Sequence, residues 1–413
     1  MKKAVFIALM VSFDLMAGGL APTISFPGAA LLPKGIRTFN YVGIYNQINS
    51  KRNDLGEVED LGGSTNISYQ KLIDAEETEI DKNTAEGIIL ANGQTPEDLM
   101  AVANLEANLG LAVHSVAAGY GVNEKWTVAM ALGIYQKDYH FDYGTVASDS
   151  LPAIAQAECE NGLCEKITEI QDKVNRAVEI KVEESGYDDL EDRNVTQLGD
   201  VMLMSNYQVL KNSKATVVFT NLIVAPTGDS KDLNKFGDTS AGDGQFDLGA
   251  GVQADYRATK DGALTFSGNV SYTAQLPDTY ADRVPEESGE KVFTADIDNN
   301  IKRDLGDIFS ITPGVSYKFT DALKLSGAYT YSYKFEDSYS GRKYEGARYR
   351  FLEEETEEEL HSALFGVEYS TINAFRAKKF PVPMGMQLNY GSVLYGRNVE
   401  DFNFVSFNAK LFF

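Results

Sequence analysis

The sequence has little cysteine, tryptophan or basic charge, and it has no long apolar run. Lys and Arg total 37 against 60 Asp and Glu, so the formal net charge is -23. This balance argues against a nucleic-acid partner, because such a partner needs a basic surface on the protein. The absence of any apolar run of about 18 residues excludes a helical membrane protein. A transmembrane β-barrel stays open, because its alternating strands keep the mean hydropathy low, here -0.24.

Motifs that carry catalytic chemistry are also missing. The sequence contains no G-x-S-x-G, H-E-x-x-H or G-x-x-x-x-G-K-[ST] pattern. Gly242 to Asp247 does not fit a dinucleotide loop, because the third glycine is absent and a predicted strand follows. His114 and Ser115 are adjacent in a predicted strand, so their side chains point to opposite faces. We therefore predict that the chain is not an enzyme and carries no cofactor.

The N-terminus predicts export from the cytoplasm. Residues 1–17 have a basic start, an apolar run that ends at Phe13 and small residues from Ala17, which is the order of a secretory signal peptide. This apolar run is too short to span a bilayer as a helix. We predict a cleaved signal peptide at 1–17, a short proline-containing segment at 18–34 that could plug a lumen, and a barrel with its loops at 35–413.

The two cysteines, Cys159 and Cys164, lie close together in the sequence. Export to an oxidising compartment favours a disulfide that closes this small loop. The alternative is a metal site, but four residues between two thiols, without further Cys or His partners, is poor spacing for zinc. We predict a disulfide with a local stabilising role.

Several segments alternate between apolar and polar residues with a period of two. Three clear examples begin at Phe246, Leu264 and Leu323, and each gives one apolar and one polar face. Strands in soluble sandwiches average about five to six residues, whereas these runs are about twice as long, which fits tilted strands that cross a membrane.

The spacing of these segments predicts an all-β fold, a transmembrane antiparallel up-and-down β-barrel. The links between strands alternate between long and short, as the external loops and periplasmic turns of outer-membrane barrels do. Twelve strands result, with both strand termini on the periplasmic side, and fourteen remain an alternative if Ser64 to Leu72 adds a hairpin. The predicted strands are 35–48, 106–120, 126–139, 194–210, 214–226, 244–257, 263–276, 308–319, 322–335, 360–370, 382–397 and 401–413.

The last predicted strand ends on an apolar face. Counting back by twos from Phe413 gives Leu411, Ala409 and Phe407, all apolar, between more polar neighbours. This pattern resembles the C-terminal signature that outer-membrane barrels present to their assembly machinery. We predict that Phe407, Leu411 and Phe413 form such a barrel-assembly signal.

Two long links contain helical patterns. Thr95 to Asp98 has a capping residue, a proline in the first turn and acidic residues near the positive helix end, which predicts a helix that continues through Leu105. Residues 165–184 carry apolar side chains at helical spacing. This apolar stripe could bind a partner, but we favour packing against neighbouring loops or over the barrel mouth.

The acidic charge is concentrated in five long links. Residues 49–105, 145–193, 227–243, 277–307 and 336–359 contain 47 acidic and 19 basic residues, and the rest of the chain contains 13 and 18. These links would form an acidic crown outside a nearly neutral wall and would face lipopolysaccharide.

Divalent cations could bind to this crown. Asp296, Asp298 and Asn300 open like a calcium loop, with Asp307 at the twelfth position. Ile301 stands where that loop needs glycine, so we favour looser binding of divalent cations across the acidic loops.

Five short motifs occur in a characteristic order. They are Leu32 to Gly35, Leu198 to Val201, Pro226 to Asp229, Gly242 to Asp247, and Thr312 to Tyr317. Their succession resembles the outer-membrane transporters grouped with meta-pathway phenol degradation, which are related to the fatty-acid and toluene channel superfamily. The resemblance covers roughly 194–335 best, and it implies a barrel that passes small hydrophobic or aromatic compounds passively.

Three functions are compatible with the sequence. The first is an outer-membrane channel for passive, selective uptake of small solutes. The second is a general cation-preferring porin, and the third is a barrel that displays adhesive or receptor loops. About twelve strands enclose a lumen narrower than that of the large porins, so we expect a narrow or plugged pore.

The polar faces of the predicted strands give the pore-lining residues. Asp255, Arg257 and their neighbours would set selectivity at close range, although pairing across strands is an equally good explanation for them. The predicted lining residues are Asp247, Gln253, Asp255, Arg257, Asn269, Gln275, Lys324, Lys334, Gln387, Asn389, Arg397, Asn408 and Lys410.

Overall fold

The computed structural model describes residues 19–22, 24–75, 78–160, 172, 174–188, 190–289 and 294–413. The predicted signal peptide lies outside these residues, and so does Cys164. The strands are β1 Arg37–Ile48, β2 Ser50–Arg52, β3 Val58–Asp60, β4 Gly63–Ser68, β5 Leu99–Asn123, β6 Trp126–Ala147, β7 Arg193–Leu198, β8 Val201–Lys211, β9 Ala215–Ala225, β10 Asp247–Arg257, β11 Leu264–Gln275, β12 Asp278–Arg283, β13 Ile297–Asp304, β14 Ile308–Lys318, β15 Leu323–Lys334, β16 Ser338–Ser340, β17 Glu358–Ser370, β18 Met384–Arg397, β19 Val399–Glu400 and β20 Asn403–Phe412. The helices are α1 Tyr69–Ala75, α2 Glu79–Ala91, α3 Ser150–Glu160, α4 Ala177–Glu184, α5 Gly346–Arg350 and α6 Ile372–Arg376.

Twelve long strands form a closed antiparallel barrel. Their order around the wall is β1, β5, β6, β8, β9, β10, β11, β14, β15, β17, β18 and β20, and β20 pairs with β1 to complete the circle. The twelve-strand prediction is therefore confirmed. The alternative of fourteen is not, because β4 pairs only with the extended part of β5.

The outer face of the wall is apolar. On β10, Leu248, Val252 and Tyr256 are 45 to 49% exposed, whereas the odd-numbered residues between them are buried or half-buried. The same alternation continues on β11, β14 and β15, with Phe266, Val315 and Leu325 exposed. Exposed large apolar side chains in a continuous band are the pattern of a lipid-facing barrel surface.

Four short turns and the helix-containing link 371–383 join the strands at one end of the barrel, which we name the short-turn end. The links at the other end, the long-loop end, are long except for the one between β18 and β20. The β5–β6 hairpin is the tallest element, at 25 and 22 residues. Its outer face carries charged residues such as Glu106 and His140 beyond the apolar band.

The prediction of a helix that starts at Thr95 and continues through Leu105 is wrong, because residues 99–123 form strand β5. Ala101, Ala103 and Leu105 are buried on one face of that strand. The apolar–polar alternation along β5 therefore outweighs the helix-capping pattern that precedes it. Thr95 to Asp98 form a turn, in which the Thr95 amide donates to the Asp98 carboxylate at 2.6 Å.

The long-loop end is covered by a layer of helices and two small sheets, which we name the cover layer. Strands β12, β13 and β16 form one sheet, and β19, β2 and β3 form the other. Helix α4 packs into this layer through Ala177, Val178 and Val182, which are 1 to 4% exposed. The part of the predicted apolar stripe of 165–184 that the structure describes therefore packs inward.

The segment that resembles a calcium loop, from Asp296 to Asp307, contains strand β13. There Asp298 accepts hydrogen bonds from the Tyr349 hydroxyl and from the Asn300 amide.

Among the described residues, no helix is both long enough and apolar enough to cross a membrane.

Arg283 joins three parts of the cover layer. Its guanidinium donates to the carbonyl oxygens of Ser185, Gly186, Leu233 and Thr294 at 2.5 to 3.0 Å. The side chain is 4% exposed and lies 3.7 Å above the Tyr187 ring. One buried cation thereby holds the end of α4 against two loops through charge-assisted hydrogen bonds.

We expect Arg283→Ala to loosen the cover layer without opening the barrel. Hydrogen bonds from a charged donor contribute about 1.5–3 kcal/mol each, and the loss leaves buried carbonyl oxygens unpaired. Amides around Tyr187 should exchange hydrogen at least about tenfold faster in a mass-spectrometric exchange experiment. Arg342→Ala, an exposed residue of the same layer, is the control. Equal exchange in both variants would contradict this role for Arg283.

Candidate functional site: the barrel lumen

The N-terminal segment runs through the lumen from one end to the other. The Leu20 amide donates to Glu358 at the long-loop end, at 2.5 Å. The Ala29 amide donates to Asp255 at 3.1 Å, and the Leu32 amide donates to Thr127 at the short-turn end, at 3.0 Å. The segment therefore starts at the long-loop end near Leu20 and leads to the short-turn end near Leu32, where strand β1 begins.

Glycines in the wall make room for this segment. A Cβ atom at Gly366 would lie 2.7 Å from the Phe26 ring, and a Cβ atom at Gly314 would lie 3.0 Å from the Pro27 ring. Both contacts are closer than side-chain atoms normally approach, so the wall is shaped to the segment at these two positions.

The start of the segment lies against a buried ionic network at the long-loop end. Lys334 is 2% exposed and forms an ion pair with Asp337, and Glu358 lies 3.9 Å from the same ammonium group. Asp337 also accepts the Gly306 amide at 2.8 Å, which ties the network to the link before β14. The segment is thus attached to charges that also hold two of the long loops.

A loop closes the mouth next to this network. Lys137 points into the lumen and donates to the carbonyl oxygens of Thr239 and Ser240, at 2.7 and 2.9 Å. In the same loop, Phe236 is 1% exposed and packs against Phe141 and Tyr187. The link 227–243 therefore folds inward and narrows the entrance.

Three of the motifs that carry the family resemblance meet at Asp200. Its carboxylate accepts the amides of Thr227 and Gly228 at 2.7 Å and the amide of Asp243 at 3.2 Å. A Cβ atom at Gly242 would lie 2.5 Å from this carboxylate. The order of these motifs in the sequence thus corresponds to one hydrogen-bonded junction, which breaks the predicted strand 194–210 into β7 and β8.

One side of the lumen is apolar. Leu109, Leu111 and Val113 of β5 are 0 to 6% exposed and face inward, and they belong to one cluster with Phe404 of β20. Ile24 and Phe26 of the N-terminal segment pack against this cluster, which continues into the cover layer. Sequence reasoning missed these lining residues, although the period-two run on β5 would have revealed them.

Most of the predicted lining residues lie on the inner face of the wall. Asp247, Gln275, Lys334 and Asn389 are 2 to 7% exposed, and Asp255 holds the N-terminal segment. Lys324 and Gln387 are each in register with Glu368 near the short-turn end, where Lys324 and Glu368 form an ion pair at 2.6 Å. Lys410 lies at the same end, in register with Gly385 of β18. The others on this face are Gln253, Arg257, Asn269 and Asn408.

Pairing across strands accounts for part of this set. Arg257 donates to the Thr216 hydroxyl at 2.9 Å and to the Asn212 carbonyl at 3.3 Å, and Asn389 donates to Ser406 at 3.0 Å. These bonds stiffen the wall, whereas a role of these side chains in selectivity stays a prediction.

The prediction is wrong for Arg397, which lies on the outer face. Its guanidinium pairs with Glu359 at 3.1 Å and with Glu357 at 3.2 Å, whereas the inward neighbour Glu358 faces the lumen. The cause is a β-bulge, because His361 pairs with Tyr395 but Ser362 pairs with Val393, which leaves Leu394 as an extra residue. One extra residue reverses the faces of the strand beyond it.

The three histidines lie away from the lumen-lining set. His114 contacts the Tyr41 hydroxyl at 2.7 Å, and His361 lies among Tyr331, Tyr395 and Glu359 on the outer face. His140 contacts Asp192 at 2.5 Å in the part of β6 beyond the apolar band. Their partners are aromatic or carboxylate side chains outside the lumen.

The remaining predicted sites fall at the edges of the described structure. Cys159 lies at the end of α3, and because Cys164 is outside the described residues the disulfide stays a prediction. On β20, Phe407 is 40% exposed and Leu411 is half-buried, and Phe413, directly after the strand, is 64% exposed. Their role as an assembly signal also stays a prediction.

The fold is a closed antiparallel β-barrel of twelve strands, and its own N-terminal segment lies in the lumen. No family model matches the chain, and no curated protein matches it. Among solved structures, the COG4313 outer membrane channel from Pseudomonas putida F1 is 8% identical, with 95% of this chain and 100% of that chain covered and a TM-score of 0.53. This likeness shows the barrel fold.

Two further solved structures are more distant. The Ralstonia pickettii toluene transporter TbuX is 10% identical, with 92% of this chain and 90% of that chain covered and a TM-score of 0.34. A Pseudomonas aeruginosa FadL homologue is 9% identical, with 97% and 96% covered and a TM-score of 0.32. These two likenesses add nothing to the assignment of the fold.

We expect Asp255→Asn to loosen the N-terminal segment. The carboxylate accepts the Ala29 amide and the Ser267 hydroxyl, and the neutral amide is a weaker acceptor for both. The loss of about 1.4 kcal/mol would speed exchange of the Ala29 amide about tenfold in a hydrogen-exchange measurement. Asp261→Asn, in an exposed turn at the short-turn end, should leave this exchange unchanged.

Proposed function

We propose that this protein is an outer-membrane channel for the passive passage of small hydrophobic or aromatic solutes. The observation that carries the proposal is the apolar cluster that joins the cover layer to the lumen. It extends from Phe236 and Phe141 at the mouth, through Leu109 and Leu111 on β5, to the N-terminal segment. An apolar solute that enters from the long-loop end meets a surface that can replace its contacts with water.

A general porin fits this interior less well. The water-filled porins have about 16 strands and an open lumen, whereas this barrel has twelve. The N-terminal segment and the inward loop at 227–243 occupy the space that ions and sugars would need. Apolar lining also favours passage of solutes that carry little hydration.

Residues 18–34 act as a displaceable plug in this proposal. The described part, 19–22 and 24–34, belongs to no strand, so moving it breaks no β-ladder. Its contacts with Glu358, Asp255 and Thr127 are separate hydrogen bonds of backbone amides. Such bonds contribute about 0.5–3 kcal/mol each in folded proteins, so a solute that replaces the apolar contacts of Phe26 can shift the segment.

The cellular setting follows from the same reasoning. The signal peptide at 1–17 would direct export, and Phe407, Leu411 and Phe413 would engage the barrel assembly machinery. The acidic long loops would face lipopolysaccharide, with divalent cations between the two anionic surfaces. The disulfide of Cys159 with Cys164 would stabilise one of these loops.

Reconstitution tests the proposed function. We expect liposomes that contain the purified protein to take up a small aromatic solute such as toluene faster than protein-free liposomes, while planar bilayers show little ion conductance. Replacing residues 20–31 by a Gly-Ser linker of equal length should raise the ion conductance at least about tenfold, because it removes side chains such as those of Phe26 and Pro27 that fill the lumen.

Matched variants make the test specific. Phe26→Ser, in the segment, should alter uptake of the aromatic solute, and Phe375→Ser, an exposed residue of α6, should not. Stable cation-selective conductance without aromatic uptake would instead indicate a general porin. Silence in both assays would indicate a barrel that displays binding loops.

A further inference from the structure

A buried polar pocket lies where the segment Gly242 to Asp247 enters strand β10. Gln245 is 1%, Gln275 3% and Asp247 7% exposed. The pocket is at the long-loop end of the lumen, beside the junction at Asp200. It is separate from the apolar cluster that carries the proposed function.

The hydrogen bonds in this pocket leave one strong acceptor without a donor. The Gln245 side-chain amide group donates to Asp247 at 3.4 Å and to the Gln275 oxygen at 3.2 Å. Gln275 in turn donates to the Gly306 carbonyl at 2.6 Å. Within the described parts of the chain, the Gln245 Oε1 atom has no partner. A buried oxygen of this kind destabilises the folded protein unless a donor or cation reaches it.

The orientation of the Gln245 side chain is fixed by its neighbours. Both groups that face its amide nitrogen, the Asp247 carboxylate and the Gln275 oxygen, are acceptors. Exchanging the oxygen and nitrogen of Gln245 would place an acceptor against two acceptors. The unpartnered atom is therefore the oxygen.

Carboxylates outnumber cations around the pocket. Asp200 and Asp243 lie close enough to act electrostatically on Asp247. The nearby cation, Arg303, already forms a two-point ion pair with Asp278 at 2.8 and 3.0 Å and donates to the Asp243 carbonyl. The Asp243, Asp247 and Asp200 carboxyl groups therefore face a pocket whose nearby cation is already paired, and a bound cation would relieve their mutual repulsion.

We propose that Asp247 and Gln245 bind a monovalent cationic group, either an alkali metal ion or the ammonium group of a small amine. One carboxylate and one amide oxygen supply the oxygen ligands that hard cations and ammonium donors prefer. Among the described residues, no group of three or more His, Cys, Asp or Glu side chains is arranged to hold a metal ion, which argues for a single positive charge. The Asp200 carboxylate already accepts three backbone amides, so it acts on the bound cation through its electrostatic field and not as a ligand.

Binding is measured on the full-length protein in detergent, without any solute. We expect KCl or methylammonium chloride to raise the Tm of the wild type relative to N-methylglucamine chloride at the same ionic strength, because that bulky cation screens charge but does not fit the pocket. A response to KCl alone would assign the metal ion, and a response to methylammonium alone would assign the amine. No cation-specific shift in the wild type would overturn the proposal.

Variants of the same shape test the two ligands. Asp247→Asn should raise the apparent Kd for the effective cation at least about tenfold, since it removes the charge. Gln245→Leu should also abolish the shift, whereas Gln245→Glu should retain or strengthen it. Asp304→Asn, an exposed residue of β13, should behave like the wild type. An unchanged cation response in Asp247→Asn would refute the assignment.

Crystals of the wild type soaked in RbCl give a readout that needs no variant. We expect an anomalous peak between the Gln245 Oε1 atom and the Asp247 carboxylate if the cation is a metal ion. Water alone at this position, together with no methylammonium effect on Tm, would contradict the proposal. Neither the Tm measurement nor the crystal soak depends on uptake of an apolar solute. A failure of the cation-site proposal is therefore distinguishable from a failure of the proposed function.

Discussion

Closure of the sheet is the constraint on which the rest of this structure depends. In an apolar medium every unpaired backbone N–H or C=O group costs several kcal/mol, so a sheet can have no free edge. Strand β20 meets this requirement by pairing with β1, although the two are separated by almost the whole chain. Once the ladder is closed, alternate side chains must face lipid and lumen. The apolar band and the lining of the lumen are two results of one backbone arrangement.

The interior differs from a simple water-filled tube because three parts of the chain share it. The wall supplies a polar side around β10 and β11 and an apolar side on β5. The N-terminal segment crosses between them, and the cover layer extends the apolar side upward through residues such as Phe236 and Phe141. Acidic residues are therefore concentrated on the outer surface of the long loops, while their apolar residues form a core that is continuous with the lumen.

The wall could be predicted from the sequence because its signal is local and periodic. The twelve strands and the inward faces of β10, β11 and β15 follow directly from alternation. The same logic failed for Arg397, because nothing in the sequence marks the extra residue at Leu394. It failed for Leu99 to Leu105, because apolar spacing in a short window fits a helix as well as a strand.

The rest of the site depends on contacts between distant residues. Leu20, Ala29 and Leu32 of the N-terminal segment are held by Glu358, Asp255 and Thr127, which lie on three different strands. The inward fold of 227–243 depends on Lys137, about a hundred residues earlier. No local pattern encodes such pairings. The junction at Asp200 is an intermediate case, since the order of its motifs was visible but its geometry was not.

The bulge at Leu394 has a consequence for how such barrels diverge. Insertion or loss of a single residue in a strand exchanges its two faces on one side of the change and leaves the other side intact. A cation that simple alternation would place in the lumen can thereby become part of an outer ion pair, as Arg397 is with Glu359 here, without any substitution of the side chain itself. Relatives of this chain can therefore differ in the charge of their lumen through shifts in strand length alone, and position-by-position sequence comparison would not detect the change.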